Sequence, residues 1–180
     1  DRLFAAVLRR RARRAGMRGG RVLALALLAG AASAAPERER IRDWEVVRGA
    51  EGCVATTSVG LRAAGSGLVT VALLPRPGAQ GGAPAVMTVR VPLGAHLASG
   101  IAYTHPGQTA AVGLAWQSCD AETCLASGGI GPEELGRLQR GRRILLGFRP
   151  LPSSRPLVVP VSLMGVTRAW AAVQDCAAGR

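Results

Sequence analysis

Short apolar runs separated by glycine and proline constrain the fold of this chain more than any other sequence feature. The 180 residues include 24 Gly and 11 Pro, and the runs between them have the length of β-strands. In residues 85–91, Val86, Thr88 and Arg90 alternate with Met87, Val89 and Val91, as in a strand with one buried face. Residues 68–74 are continuously apolar, as a buried strand would be. Many short strands with this punctuation indicate a mainly β domain, and we predict an antiparallel β-sandwich. The predicted strands are Ile41–Arg48, Cys53–Val59, Leu68–Leu74, Ala85–Val91, Ile101–Thr104, Ala110–Gln117, Thr123–Ser127, Arg143–Phe148 and Leu157–Val161.

Two segments have helical rather than strand character. A short helix is predicted near residues 132–139, where Pro132 and two glutamates stand in the first turn and an arginine stands near the end. A C-terminal helix is predicted from Ser162 to Cys176, with Val166, Trp170 and Val173 at helical spacing. We expect that helix to pack Trp170 onto the sheet.

Residues 1–35 are typical of a basic leader that ends in a cleavable signal peptide. The apolar run that begins at Val22 follows a positive segment and ends in small residues, so cleavage after Ala34 or after Ala35 fits the pattern. An uncleaved anchor is the alternative, but the run is shorter than the ~20 residues that span a bilayer. Residues 36–180 are predicted to form one domain without a stable membrane span, and the true start, Met17 or upstream, stays open.

The net charge of +12 is concentrated in the leader. Eight arginines but only one acidic residue lie within residues 1–21, and the arginines after Pro36 are scattered along the chain. Nucleic-acid binding requires clustered basic residues, often with stacking aromatic side chains. The sequence shows neither pattern, so we expect no nucleic-acid partner.

Four cysteines follow the leader: Cys53, Cys119, Cys124 and Cys176. In an exported protein an even number of cysteines favours disulfides, and four cysteines allow three pairings. Only four residues separate Cys119 from Cys124, a spacing that can close a turn between two strand ends. If those two pair, Cys53 is left for Cys176.

Other chemistry has weaker support in the sequence. A redox dithiol is disfavoured because the segment between Cys119 and Cys124 contains two acids and no base. A metal site would need distant groups to converge on His96 and His105, and we predict neither a metal nor a cofactor. His105 precedes Pro106-Gly107, so we expect an exposed histidine in a turn. No pair stands out for acid–base catalysis among the carboxylates Asp43, Glu45, Glu51, Asp120, Glu122, Glu133 and Glu134.

The middle of the chain resembles the invasion-associated locus B family of small exported bacterial proteins. The resemblance rests on Val91-Pro92-Leu93-Gly94, then Gly100-Ile101, then the Cys119–Cys124 pair followed by Leu125-Ala126. It covers roughly residues 44–173. Further matching positions are Leu138, Gly141, Phe148, the segment Pro160 to Leu163, and Ala169.

The resemblance implies a disulfide that this chain cannot form in the same way. In the family, a cysteine a few residues after the equivalent of Trp44 pairs with the equivalent of Cys53. Arg48 stands in that position here. Cys176 is then the candidate replacement partner, which is an inference from this sequence and not a family feature.

For function, the resemblance implies a periplasmic, secreted or outer-membrane-associated protein without enzymatic activity, in a family named for host-cell invasion. We therefore expect a module that binds an unknown envelope or host-surface component. Two alternatives stay open, a thiol-disulfide oxidoreductase that uses Cys119 and Cys124 and a β-sandwich that binds a small ligand.

Overall fold

Ten strands and two helices make up the part of the chain that the structure, a computed structural model, describes: residues 35–50, 52–61, 67–76, 78 and 82–179. Residues 1–34 of the predicted leader, Ala34 included, lie outside these residues, and Ala35, the last leader residue, is exposed. The helices are Pro132–Arg140 (α1) and Val166–Ala177 (α2). The strands are Glu37–Ile41 (β1), Trp44–Gly49 (β2), Gly52–Leu61 (β3), Gly67–Pro75 (β4), Ala85–Pro92 (β5), Ile101–Thr104 (β6), Val112–Cys119 (β7), Thr123–Ile130 (β8), Arg143–Phe148 (β9) and Leu157–Ser162 (β10).

All ten strands belong to one antiparallel sheet, in the order β1-β2-β3-β4-β5-β8-β7-β6-β9-β10. The chain is therefore mainly β, as predicted, but the described residues do not form the two separate sheets of a sandwich. Strand twist accumulates across a sheet, and sheets of about ten strands curl. The curl brings β10 against β3 and encloses a core as two facing sheets would.

The core is aliphatic, and side chains alternate into it along each strand. In β5, Met87, Val89 and Val91 are buried, as the alternating pattern predicts. Strand β4 differs from the prediction because only its inward side chains, Val69 and Leu73 among them, are buried. A continuously apolar run therefore does not require burial on both faces here.

The N-terminal end of the sheet is a hairpin where we predicted one strand. Ile41 pairs with Trp44, so Arg42 and Asp43 alone form the turn, and Arg42 has a left-handed φ of 57°. No glycine marks this turn, which is why the sequence gives little sign of it. The charged strand β1 lies at the sheet edge, where such side chains discourage pairing with other chains.

The two ends of the sheet are joined at this turn. Trp44 Nε1 donates a hydrogen bond to the Ser162 carbonyl oxygen at 3.1 Å, and the Asp43 amide donates to the Met164 carbonyl oxygen at 3.2 Å. Gly165 has a φ of +102°, and a Cβ there would collide with the Ile41 carbonyl oxygen. The close approach of the two chain segments therefore requires glycine at 165.

Both predicted helices are present. Helix α1 agrees with its prediction to within one residue, whereas α2 begins at Val166 because Ser162 still belongs to β10 and Gly165 interrupts the backbone. Trp170 is 2% exposed, so its expected packing against the sheet is confirmed. Helix α2 contacts β1 to β4 and covers the inner face of that half.

Candidate functional site

The four cysteines form two disulfides of different kinds. Cys53–Cys176 joins β3 to α2 across 123 residues, and Cys119–Cys124 spans five. The second pair lies directly opposite in β7 and β8, at the last register position before the connecting loop. One bond therefore fastens the C-terminal helix to the sheet, while the other closes a hairpin.

Asp120 organises that hairpin loop. Its Oδ1 accepts hydrogen bonds from the amides of Glu122 and Thr123, at 2.8 and 2.7 Å. These two backbone hydrogen bonds hold the pKa of the Asp120 carboxyl below its usual range. A permanent negative charge next to a disulfide disfavours the thiolate that redox exchange needs.

Arg48 is the cross-strand neighbour of Cys53. It lies directly opposite Cys53 in the β2–β3 register, and cross-strand neighbours of this kind project from the same face. Instead of a covalent bond, Arg48 forms an ion pair with Glu39 of β1 at 2.8 Å. The arrangement explains how Cys53 is free to reach Cys176 on the helix that covers this face.

A buried polar cluster, which we name the Glu134 cluster, lies between β6 and α1 and consists of Tyr103, His105, Glu134 and Arg137. Glu134 Oε1 accepts from the Tyr103 hydroxyl at 2.9 Å and lies 2.8 Å from His105 Nε2. Its Oε2 accepts from Arg137 Nε at 2.7 Å. His105 and Glu134 are each 8% exposed, so the expectation of an exposed histidine is wrong. Helix α1 covers the turn that follows His105, and the sequence around the histidine does not indicate this contact.

The cluster keeps Glu134 ionised. Burial by itself raises the pKa of this carboxyl, but hydrogen bonds from His105, Arg137 and Tyr103 outweigh it and hold the pKa below its usual range. Burial and then the Glu134 carboxylate raise the pKa of the Tyr103 hydroxyl far above its usual value. Tyr103 therefore stays neutral and acts as a hydrogen-bond donor.

A cleft opens next to the Glu134 cluster where the end of β6 meets the start of β9. It has a volume of about 460 Å³, and we name it the basic cleft. His105 lines it, and the Nδ1 atom of this side chain has no hydrogen-bond partner among the described residues. The lining residues are His105, Pro106, Gly141, Arg142 and Arg143.

A larger apolar depression crosses the outer face of β6, β9 and β10, opposite the core. It has a volume of about 620 Å³, and we name it the outer groove. In one row of the sheet, Gly147 lies between Ala102 and Val158, so small residues form the floor. Val158 is 56% exposed, which is unusual for a large aliphatic side chain beside a cavity.

The described residues offer no other candidate site for redox chemistry, metal binding or acid–base catalysis. His, Cys, Asp and Glu side chains do not gather there in a group of three that could hold a metal ion. His96 bonds to Ser99 instead, at 2.7 Å. Neither helix in this part of the chain has the length and apolar character needed to cross a membrane.

Comparisons with known proteins agree with the resemblance found in the sequence. The chain is structurally similar to the crystal structure of invasion associated protein B from Bartonella henselae, with a TM-score of 0.66 and 16% sequence identity. The similarity covers 77% of this chain and 96% of that one, and at this identity it shows a shared fold. The chain matches no curated protein in a sequence comparison. The model of the invasion associated locus B family matches residues 44–174, most of the chain, and the chain therefore belongs to this family.

Proposed function

We propose that the chain is an exported protein of the bacterial envelope that acts by binding an envelope or host-surface component and not by catalysis. The observation that carries this proposal is that no cysteine of the described residues is left as a free thiol. Disulfides persist in oxidising compartments such as the periplasm and the cell exterior. The family to which the chain belongs is named for invasion, and this name supports an association with host-cell invasion.

Two features support binding over catalysis. The Cys119–Cys124 hairpin carries the fixed negative charge of Asp120, which works against a reactive thiolate. His105 and Glu134 form a pair of the kind that activates nucleophiles, but among the described residues only the Tyr103 hydroxyl bonds to the side chains of this pair, and the Thr104 hydroxyl bonds to the backbone carbonyl of His105 instead. Tyr103 donates to the carboxylate, so it stabilises the pair and is not itself activated.

The proposal predicts the location and state of the native protein. In its own cells we expect it in the periplasm or the medium, beginning at Ala35 or Pro36, with all four cysteines resistant to alkylation until a reductant is added. Fractionation followed by mass spectrometry of alkylated peptides measures both properties.

A version produced in the cytosol without residues 1–35 serves as the control, because its thiols should react directly. Untrimmed protein with free thiols in the native cytosol would overturn export. Rapid reduction of Cys119–Cys124 alone in the native protein would favour an oxidoreductase instead.

A second candidate function, binding of a small apolar ligand, is favoured by the outer groove. Its volume of about 620 Å³ lies within the range of ligand pockets. The floor is formed by Ala102 and Gly147, and Thr104 and Leu145 occupy the adjacent row of the sheet. Such a surface suits an apolar body with few polar groups.

This candidate predicts that Gly147→Leu weakens binding of a neutral apolar dye such as Nile red. A Cβ at 147 would meet only the Ala102 carbonyl oxygen, at 3.9 Å, so the leucine should fill the groove without disturbing the sheet. Fluorescence titration should show affinity reduced about tenfold or more. Gly113→Leu is the matched control, because Gly113 pairs with Ala102 on the same face but does not line the groove. Equal dye binding by wild type and Gly147→Leu would exclude this site.

A further inference from the structure

The basic cleft collects positive charge that no carboxylate neutralises. Arg142 and Arg143 both line it, and neither guanidinium forms an ion pair or a hydrogen bond with the described part of the chain. The described residues that line the cleft include no acidic side chain. The nearby Arg137 differs, because Glu133 and Glu134 already hold it at 3.1 and 2.7 Å.

The backbone on both sides of the cleft is fixed. The Arg142 carbonyl oxygen accepts a hydrogen bond from the Leu163 amide at 2.9 Å, and β9 begins at the next residue. On the other side, Thr104 pairs with Leu145, which sets the distance between the end of β6 and the start of β9. Arg143 is therefore the first residue of a paired strand, and Arg142 and His105 each lie one residue outside one.

Among the residues that the structure describes, His105 is the one buried polar side chain that lines this cleft. Its Nε2 bonds to the Glu134 carboxylate, so that nitrogen carries the proton and Nδ1 is left without a hydrogen-bond partner among the described residues, on a ring that lines the cleft. A buried carboxylate that orients an imidazole in this way fixes the direction in which the free nitrogen points. Nδ1 accepts a hydrogen bond when the ring is neutral and donates one when it is protonated.

From this geometry we infer that the basic cleft is a binding site for a phosphate group. Guanidinium groups bind phosphate oxygens through paired, charge-assisted hydrogen bonds. The second pKa of a phosphate monoester is near 6, so at neutral pH the group can either donate to Nδ1 or accept from it. Sulfate carries no such proton and matches only the protonated ring. The cleft volume of about 460 Å³ leaves room for the organic part of a phosphate monoester. This inference does not depend on the proposed function and concerns a different surface from the outer groove.

The test uses the only two histidines of the chain, His96 and His105, as reporters. Inorganic phosphate is titrated into the full oxidised protein while the imidazole nitrogens of both rings are followed by NMR. We expect the His105 signals to move to saturation while those of His96, which bonds to Ser99, stay in place. Sulfate at the same ionic strength should bind more weakly than phosphate.

Charge-matched variants distinguish a specific phosphate site from nonspecific attraction of anions to a positively charged protein. Arg142→Gln combined with Arg143→Gln should weaken phosphate binding about tenfold or more. Arg155→Gln combined with Arg168→Gln removes the same charge from exposed positions outside the cleft and should leave the affinity within about twofold. The inference is overturned if phosphate moves neither ring, if it moves both alike, or if the two double variants lose affinity equally.

A further experiment distinguishes a lipid headgroup from a soluble phosphate monoester as the source of the phosphate. Phosphatidylcholine vesicles with and without phosphatidic acid are sedimented with the wild type and with the Arg142/Arg143 variant. Cosedimentation that requires both phosphatidic acid and the two arginines supports a lipid headgroup as the ligand. Saturable binding of free phosphate without cosedimentation supports a soluble phosphate monoester.

Discussion

Replacing both Cys53 and Cys176 with alanine should lower the free energy of unfolding by about 5 kcal/mol. The bond closes a loop of 123 residues, and its removal returns that conformational freedom to the unfolded chain. Equilibrium unfolding in urea at neutral pH measures the change. Domains of this kind are stable by only about 5–15 kcal/mol, so the loss should amount to a third or more of the total stability.

The double replacement of Cys119 and Cys124 is the matched control. Its loop spans only five residues, so the expected loss is about 2 kcal/mol. A loss from the short bond equal to or larger than that from the long one would contradict the loop-entropy argument. If the Cys53/Cys176 variant does not fold at all while the Cys119/Cys124 variant does, the order of the two effects is still established.

Glu134→Ala should destabilise the protein by about 3 kcal/mol, because it leaves buried donors without an acceptor. The Tyr103 hydroxyl and His105 Nε2 both depend on Glu134 Oε1. Tyr103 is 1% exposed and cannot turn to water without opening the core. Urea unfolding of wild type and variant at pH 7 gives the difference.

Glu133→Ala is the control for this prediction. Glu133 is the neighbouring carboxylate on α1, it also pairs with Arg137, and its side chain is 83% exposed. Exposed ion pairs contribute little, so this variant should unfold almost as the wild type does. Equal losses from the two variants would mean that the buried hydrogen bonds of the Glu134 cluster do not stabilise the fold.

The same cluster predicts a pH dependence with a definite sign. The pKa of Glu134 is lower in the folded protein than its usual value. Its stabilising contribution is therefore complete above the unfolded-state pKa of about 4.3 and is lost as the pH falls through the lower folded value. Unfolding measured from pH 6 downward should show a shallower loss of stability for Glu134→Ala than for the wild type.

Tertiary contacts account for the errors in the sequence-based description of the candidate sites. His105 was expected to be exposed because Pro106-Gly107 favours a turn, and a turn does form there. The histidine is buried because Glu134, 29 residues later, lies over it on α1. The only local sign of a partner for His105 was the pair of glutamates at the start of a helix. Their position is explained equally well by the favourable interaction of negative charge with a helix N-terminus.

The sequence by itself determined the local structure of this protein. Alternation in β5, the proline and acids at the start of α1 and the spacing of Val166, Trp170 and Val173 all act over a few residues, and the expected elements are present. Side-chain period and backbone preference are local properties, so a single sequence can express them. The family, too, was recognisable from short motifs.

Only the tertiary structure decided which elements meet. The single curled sheet, the choice of Cys176 for Cys53 and the meeting of His105 with Glu134, Arg142 and Arg143 depend on residues far apart in the chain. Many strand orders bury the same apolar faces, and the local pattern does not distinguish among them. The free energy of the whole packed chain selects one strand order, and that order creates the basic cleft and the outer groove.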